Sequence, residues 1–333
     1  MERSSRQASP LMGPYVLRRV LSLIPVLWGV VTATFLLMHA IPGGPFDRER
    51  VVPPAVQEAI ARRYRLNDPL WRQYLDYLAN LARLDLGPSY THQGRGVNDI
   101  IADGFPVSAL LGFLSILVSL SIGVPLGVFS AVRRNSLVDH AAMFGAIGLV
   151  SVPSFVLASV LILLFANGPI PALHCLPASW RSPLPGETVS WGGRLAPMAI
   201  PVFSLAGFSL AYVTRLTRSG MIEALQEDYV RTARAKGLGP FRVVVKHALR
   251  NAISPVVTYL GPLIAGVFTG SFVIERIYAI PGLGRFFVTS IENRDYPVIL
   301  GLAIFYCAFL VIMNLLVDLA YPLLDPRVSL KGK

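Results

Sequence analysis

The chain has 333 residues, of which 53% are hydrophobic and only 15% charged, and its mean hydropathy is +0.57. That balance is too apolar for an ordinary soluble domain and points to an integral membrane protein. A formal net charge of +11 would suggest a nucleic-acid partner only on a soluble fold with a basic face. Here the apolar residues sit in long uninterrupted runs, so the excess charge reads as a topogenic signal and no nucleic acid is expected.

Residues 1–14 are polar and read as a flexible cytoplasmic N-terminus. An apolar run follows over 15–41. Arg18 and Arg19 open it and no small-x-small cleavage pattern closes it, so it is expected to be a retained anchor rather than a signal peptide. A helix needs about 20 apolar residues to cross the roughly 30 Å hydrocarbon layer. Five more runs meet that length, at 106–132, 140–166, 195–214, 252–274 and 297–321. The expectation is an all-α integral membrane fold of six transmembrane helices. In the short loops Lys and Arg concentrate on one side, at Arg133, Arg134, Arg215, Arg218 and through 231–250, which is the side of the N-terminus. Positive charge marks the cytoplasmic side, so both termini, including the tail 328–333, are expected in the cytoplasm.

Each outer segment has its own character. Residues 42–104 form a small extracytoplasmic insertion, with a helix expected after Pro69 because Leu70, Tyr74, Leu78 and Leu81 make an apolar stripe. Residues 168–194 are rich in Pro, Gly and Ser and read as a loop. In the third, Pro281-Gly282-Leu283-Gly284 predicts a tight turn before an amphipathic helix.

The inner segment 215–251 carries the strongest local pattern. Ile222, Leu225, Tyr229 and Ala233 recur at helical spacing, and Phe241, Val244, Val245 and Ala248 do so again. Two short amphipathic helices are expected, hinged at Gly237-Leu238-Gly239-Pro240. Gly237 suits a left-handed position past a helix end, and Pro240 suits the first turn of the next helix.

The wording of this segment resembles the cytoplasmic loop of ABC-importer permeases, whose pattern is Glu-Ala-Ala, three residues, Gly, nine residues, then Ile-x-Leu-Pro. Arg231, Thr232 and Ala233 fill the first triplet, Gly237 stands at the required spacing, and His247, Leu249 and Arg250 fall in the last places. The initial Glu, the Ile and the Pro are absent. The variant wording RTARAKG followed by HALRN resembles the first permease subunit of bacterial dipeptide, oligopeptide and nickel importers. IPGGP at 41–45, the segment around Pro281–Gly284 and NLLVDLAYPLLDPR at 314–327 resemble the same branch, in the same order.

The resemblance covers about 15–327 and implies the type I importer permease architecture in a bacterial inner membrane. It implies four kinds of partner: the lipid bilayer, a second homologous permease, two ATP-binding subunits and an extracytoplasmic substrate-binding protein. ATP and Mg would be bound by the ATPases, and this chain would hold no cofactor. Tyr229, Arg231, Ala233, Arg234, Lys236, Gly237, Phe241, Arg242, His247 and Leu249 would form the loop that couples to an ATPase, with Tyr229, Ala233, Phe241 and Val244 packing and the basic side chains meeting acceptors on the partner. Pro281, Gly282, Leu283 and Gly284 would form an outer gate or a docking loop for the binding protein. The substrate would be a dipeptide or oligopeptide, with nickel or another small solute as the alternative.

The residues themselves carry no catalytic pattern. No P-loop is present, so energy would come from another polypeptide. His39, His92, His140, His174 and His247 are scattered without helical ligand spacing, so neither a metal site nor enzyme activity is expected. Cys175 and Cys307 have no partner at metal-ligand spacing. A proton- or ion-coupled transporter or channel needs a relay of intramembrane charges. Asp318, one turn from Asn314, reads instead as structural glue, and Asp139 with His140 falls at the inner interface where charge is cheap. Pro125, Pro153, Pro201, Pro255 and Pro262 predict bends within the spans, and glycines such as Gly261 predict close helix contacts.

Overall fold

The structure is a computed structural model that describes residues 12–40, 67–92, 94–166 and 196–324. The loop 168–194, Cys175, the 41–45 motif and the 328–333 tail lie outside the described residues. The elements are α1 (Met12–Ala40), α2 (Leu70–Ala82), α3 (Val97–Val132), α4 (Leu137–Ser151), α5 (Ser154–Phe165), α6 (Ala199–Gln226), α7 (Asp228–Ala235), α8 (240–252), α9 (Ser254–Ile277), α10 (Leu283–Asn293) and α11 (Tyr296–Leu324). Among the described residues the only β pairing is an isolated bridge between Pro88 and Gly96.

Four helices, α3, α6, α9 and α11, are each long and apolar enough to cross a membrane. The expected third span departs from a single rod. Pro153 has no N–H to give the ladder, and α4 and α5 meet there at 112°, so they make one crossing only as a broken pair. A sixth crossing would fall to α1, whose described apolar stretch is Ile24–Ala40. The fourth span is also longer than its apolar run: α6 continues without a break through Arg215 and Arg218 to Gln226.

The chain divides into two compact units. The first comprises Met1–Val107 and Pro281–Val311. Its helix α2 forms where the apolar stripe predicts it and meets α1 through Thr32 Oγ1 and the Tyr74 hydroxyl, 2.6 Å apart. The Tyr77 hydroxyl on α2 is buried without a hydrogen-bond partner among the described residues, and that burial pushes its phenol above the ordinary range. His39 stacks on Phe35 with ring centroids 4.2 Å apart and bonds the Phe35 carbonyl through Nδ1, a packing role. Gly301 of α11 leaves room for Val97 and Leu86, and Phe105 packs edge-on against Phe305 and Phe309.

The second unit comprises Ser108–Ile280 and Ile312–Lys333, and α6 is its centre. Packed by α4, α5 and α9, it buries residues along most of its length, from Ile200 to Ala224. Small residues allow this. A Cβ on Gly123 or Gly127 of α3 would stand 3.0 Å from the Leu210 carbonyl oxygen or 2.7 Å from that of Thr214, so α3 meets α6 backbone to backbone. Gly261 of α9 similarly admits the Asn314 side chain, 2.7 Å from where its Cβ would be. Cys307, on the part of α11 that belongs to the first unit, is a free thiol.

Candidate partner-docking site

At its far end α6 turns into a helix pair, but the expected first helix is divided: Ile222 and Leu225 lie on α6 itself, and only Tyr229 and Ala233 lie on the short helix that follows. α7 begins after Glu227, whose extended backbone (ψ 148°) interrupts the helix, and its first turn carries Asp228. It ends at Gly237, with φ +75°. There the Gly237 N–H donates to the Arg234 carbonyl at 2.9 Å and the Leu238 N–H donates to the Ala233 carbonyl at 3.3 Å. This pair of bonds closes a helix end only if the intervening residue is left-handed, which favours glycine. Nothing lies within 4 Å of the place a Gly237 Cβ would take, so the requirement is conformational rather than steric.

Gly239 then caps α8 and Pro240 sits at its first turn. α8 is built from a turn at Pro240–Arg242, a π-helical stretch at Val243–Ala248 and a last α turn at Leu249–Ala252. The wide π turn rotates the register of the side chains, placing Val243 and Ala248 on one buried face.

The two arms divide their apolar residues between two sides. Val230 and Ala233 of α7 and Val243, Ala248 and Ala252 of α8 are buried against Met221 and Ala224 of α6 and Ala131 of α3. Gly220 sharpens the join, since its Cβ would stand 2.5 Å from the Ala252 carbonyl oxygen. On the other side Phe241 is 79% exposed, Val245 43% and Tyr229 36%. Arg231, Arg234, Lys236, Arg242 and Lys246 surround them in solvent, while His247 and Leu249 are half-buried. The expected packing face Tyr229, Ala233, Phe241 and Val244 is therefore split: Ala233 seats the pair on its own chain, and Tyr229 and Phe241 point away from it. The ion pair on α7, Arg231 to Asp228 at 3.3 Å, is solvent-exposed and contributes little stability.

A buried ion pair braces the mount. The Arg218 guanidinium donates through Nε to Asp139 Oδ1 at 2.7 Å and through Nη2 to Oδ2 at 2.8 Å. The carboxylate is 2% exposed and also accepts from Ser130 Oγ at 2.5 Å and the Asn135 N–H at 2.9 Å. The reading of Asp139 as a cheap interfacial charge is thereby corrected. The Ser136-x-x-Asp139 spacing is a helix-start signal, and Ser136 does cap α4. No local signal joins it to Arg218.

The turn at 281–284 is built differently. Gly282, Leu283 and Gly284 are buried, and Leu283 occupies the space that Gly104 leaves, where a Cβ would come within 2.9 Å. Arg285 and Ile291 of α10 are exposed instead. Behind α10, the fully buried Asp295 carboxylate accepts from Ser89 Oγ at 2.5 Å and from the Tyr90 and Thr91 N–H groups at 3.0 Å each. Among the described residues no group of three His, Cys, Asp or Glu could hold a metal ion.

Apolar helices long enough to cross a membrane, with a short helix pair seated on α6, are the arrangement of a membrane-embedded protein. Residues 123–330 match the family of binding-protein-dependent transport system inner membrane components, and the chain belongs to that family. It is 47% identical to the dipeptide transport system permease protein DppB of Bacillus subtilis, over 97% of this chain and 100% of that one. It is 41% identical to the oligopeptide transport system permease protein OppB of Escherichia coli K12, over 94% of this chain and 98% of that one. Among solved structures, an amino acid ABC transporter crystallised with histidines is similar at 20% identity and a TM-score of 0.46, over 67% of this chain and 94% of that one.

Proposed function

We propose that the chain is the permease subunit of an ATP-driven peptide importer in a bacterial inner membrane, forming half of a path for dipeptides or oligopeptides. The observation that carries the coupling role is the two-sided helix pair. Its inner face is seated on α6 through Val230, Ala233, Val243 and Ala248, while Phe241 is 79% exposed amid basic side chains. A phenylalanine so exposed on a cytoplasmic loop is suited to a pocket on a partner, and the surrounding guanidinium and ammonium groups to acidic or backbone acceptors at its rim. The partner of matching role is an ATP-binding subunit. ATP and Mg would be held there, and closure of the ATPases would move α7 and α8, and with them α6, as one body. A second permease would complete the path, and an extracytoplasmic binding protein would deliver the peptide near α10. Near-full-length identity of 47% and 41% to dipeptide and oligopeptide permeases supports the substrate class.

The test is to extract the tagged chain in mild detergent from its host, identify what stays bound in fixed proportion, and reconstitute it. The expected result is a second permease with P-loop ATPases, and peptide uptake that needs ATP and persists when the proton gradient is dissipated. Recovery of the chain alone, active in liposomes without ATP, would overturn the proposal in favour of a self-sufficient transporter or channel.

A further inference from the structure

The central helix α6 leaves one face uncovered from Phe208 towards its C-terminal end. Phe208 and Tyr212, one turn apart, succeed one another on it, with Phe208 51% exposed and Tyr212 half-exposed. α9 opens a face beside it that carries Thr258, Tyr259 and Pro262. The two faces join where the Tyr212 and Tyr259 rings lie 4.2 Å apart, and Phe208 stacks on Tyr212 at 6.3 Å.

The hydroxyls on this surface set it apart. Elsewhere in the same unit the Tyr278 hydroxyl is buried and satisfied, 2.9 Å from Ser204 Oγ and 3.1 Å from the Ala158 carbonyl oxygen. On the face itself, Thr258 donates its hydroxyl to the Ser254 carbonyl at 3.0 Å within its own helix. The Tyr212 and Tyr259 hydroxyls bond no described residue. The open face of α3 in this unit shows the lipid-facing alternative, with Phe113, Leu117 and Phe129 all exposed and all without a polar atom. A phenol left unbonded within a span needs water or a polar ligand opposite it.

We propose that Phe208, Tyr212 and Tyr259 form a wall that a peptide touches in transit, an inference that rests on the importer reading above. The chemistry fits a substrate of fixed backbone and variable side chains. A phenol oxygen accepts from a peptide N–H and its O–H donates to a peptide carbonyl, whatever the sequence. The ring faces meanwhile shield apolar side chains without demanding a particular one. Such a wall would pass many peptides while binding none tightly, as a path between a delivering protein and the cytoplasm requires.

The experiment places the photoreactive residue p-benzoylphenylalanine at Tyr212, at Tyr259 and, as a control, at Phe113, in the complete complex reconstituted with its binding protein. Radiolabelled di-alanine and penta-alanine are the probes. Label should attach to this chain at 212 and 259 during ATP turnover and not at 113. The shape-preserving Tyr212→Phe/Tyr259→Phe variant should lose about tenfold in uptake rate, the effect of roughly one hydrogen bond, with its ATPase partners still bound. Attachment only to the second permease, or only to lipid, would overturn the inference and leave the importer intact. If the unaltered complex accumulates neither peptide with ATP, the importer reading itself fails, and the inference with it.

Discussion

Arg218 and Asp139 meet through two parallel N–H to oxygen bonds of 2.7 and 2.8 Å, with the carboxylate almost completely buried. The pair ties the start of α4 to the lower half of α6, a few residues above the helix pair. Two further donors, Ser130 Oγ and the Asn135 N–H, complete the acceptor capacity of Asp139. Removing the guanidinium alone would strand a negative charge in a site that water does not reach.

Arg218→Met should therefore cost about 3–5 kcal/mol of stability, the range for one partner of a buried pair. The double variant Arg218→Met/Asp139→Leu should recover much of that loss, because no charge remains unpaired. Thermal unfolding of the detergent-extracted complex reads both. Equal loss in single and double variants would mean that the pair contributes through shape rather than charge.

How far the sequence reveals this architecture depends on the range of each signal. Gly237 and Pro240 are local punctuation, and the turn they predict forms because φ +75° and the absence of a proline N–H are properties of single residues. The periodicity of Tyr229, Ala233, Phe241 and Val244 shows that helices form but not which neighbour each side chain meets. The π turn at Val243–Ala248 shifts the register, burying Val243 while Phe241 stays exposed. Hydropathy likewise marks apolar length but not a bend, so the run 140–166 reads as one span although Pro153 breaks it at 112°. The Arg218–Asp139 bond joins positions 79 apart and leaves no periodic trace.

Gly237 offers a test of conformation apart from contact. Because nothing stands near its missing Cβ, Gly237→Asn should be tolerated, whereas Gly237→Val should cost about 1–2 kcal/mol for holding a left-handed backbone. The expected outcome is normal membrane insertion for both, with uptake retained by the asparagine variant and sharply reduced by the valine one. Equal uptake by the two would show that the αL turn is not needed for coupling.

Phe241 separates docking from folding. Its side chain is 79% exposed, so Phe241→Ala should leave the unfolding free energy of the isolated chain within about 0.5 kcal/mol of the parent, the usual range for surface substitutions. If it anchors the ATPase, the same change should weaken association by more than 2 kcal/mol, the threshold of a hot spot. Titration of purified ATPase onto the reconstituted permease measures this, and unaltered affinity would place the anchor elsewhere.

The basic rim should act through screened charge. Arg234 and Lys236 are exposed, so reversing both with Arg234→Glu/Lys236→Glu should reduce ATPase affinity most at low salt, and the deficit should narrow as ionic strength rises past about 0.15 M, where the Debye length is roughly 8 Å. A deficit independent of salt would indicate buried, specific bonds instead.

Asp295 makes the last prediction, on the first unit. Its carboxylate is fully buried and is the shared acceptor for Ser89 Oγ and the Tyr90 and Thr91 amides, so it holds the turn before α3 against the start of α11. Hydrogen bonds to a charged acceptor contribute about 1.5–3 kcal/mol each, and leaving two amides without it should release the turn locally before it destabilises the helices. In Asp295→Ala, hydrogen exchange at Tyr90 and Thr91 should accelerate by roughly tenfold or more, the effect of losing one such bond, while amides within α11 exchange as before. Because this turn faces outward in the proposed orientation, uptake should fall while ATPase association is unchanged, the opposite of the pattern expected for Phe241→Ala. Loss of both together would mean that Asp295 stabilises the whole chain rather than its outer turn.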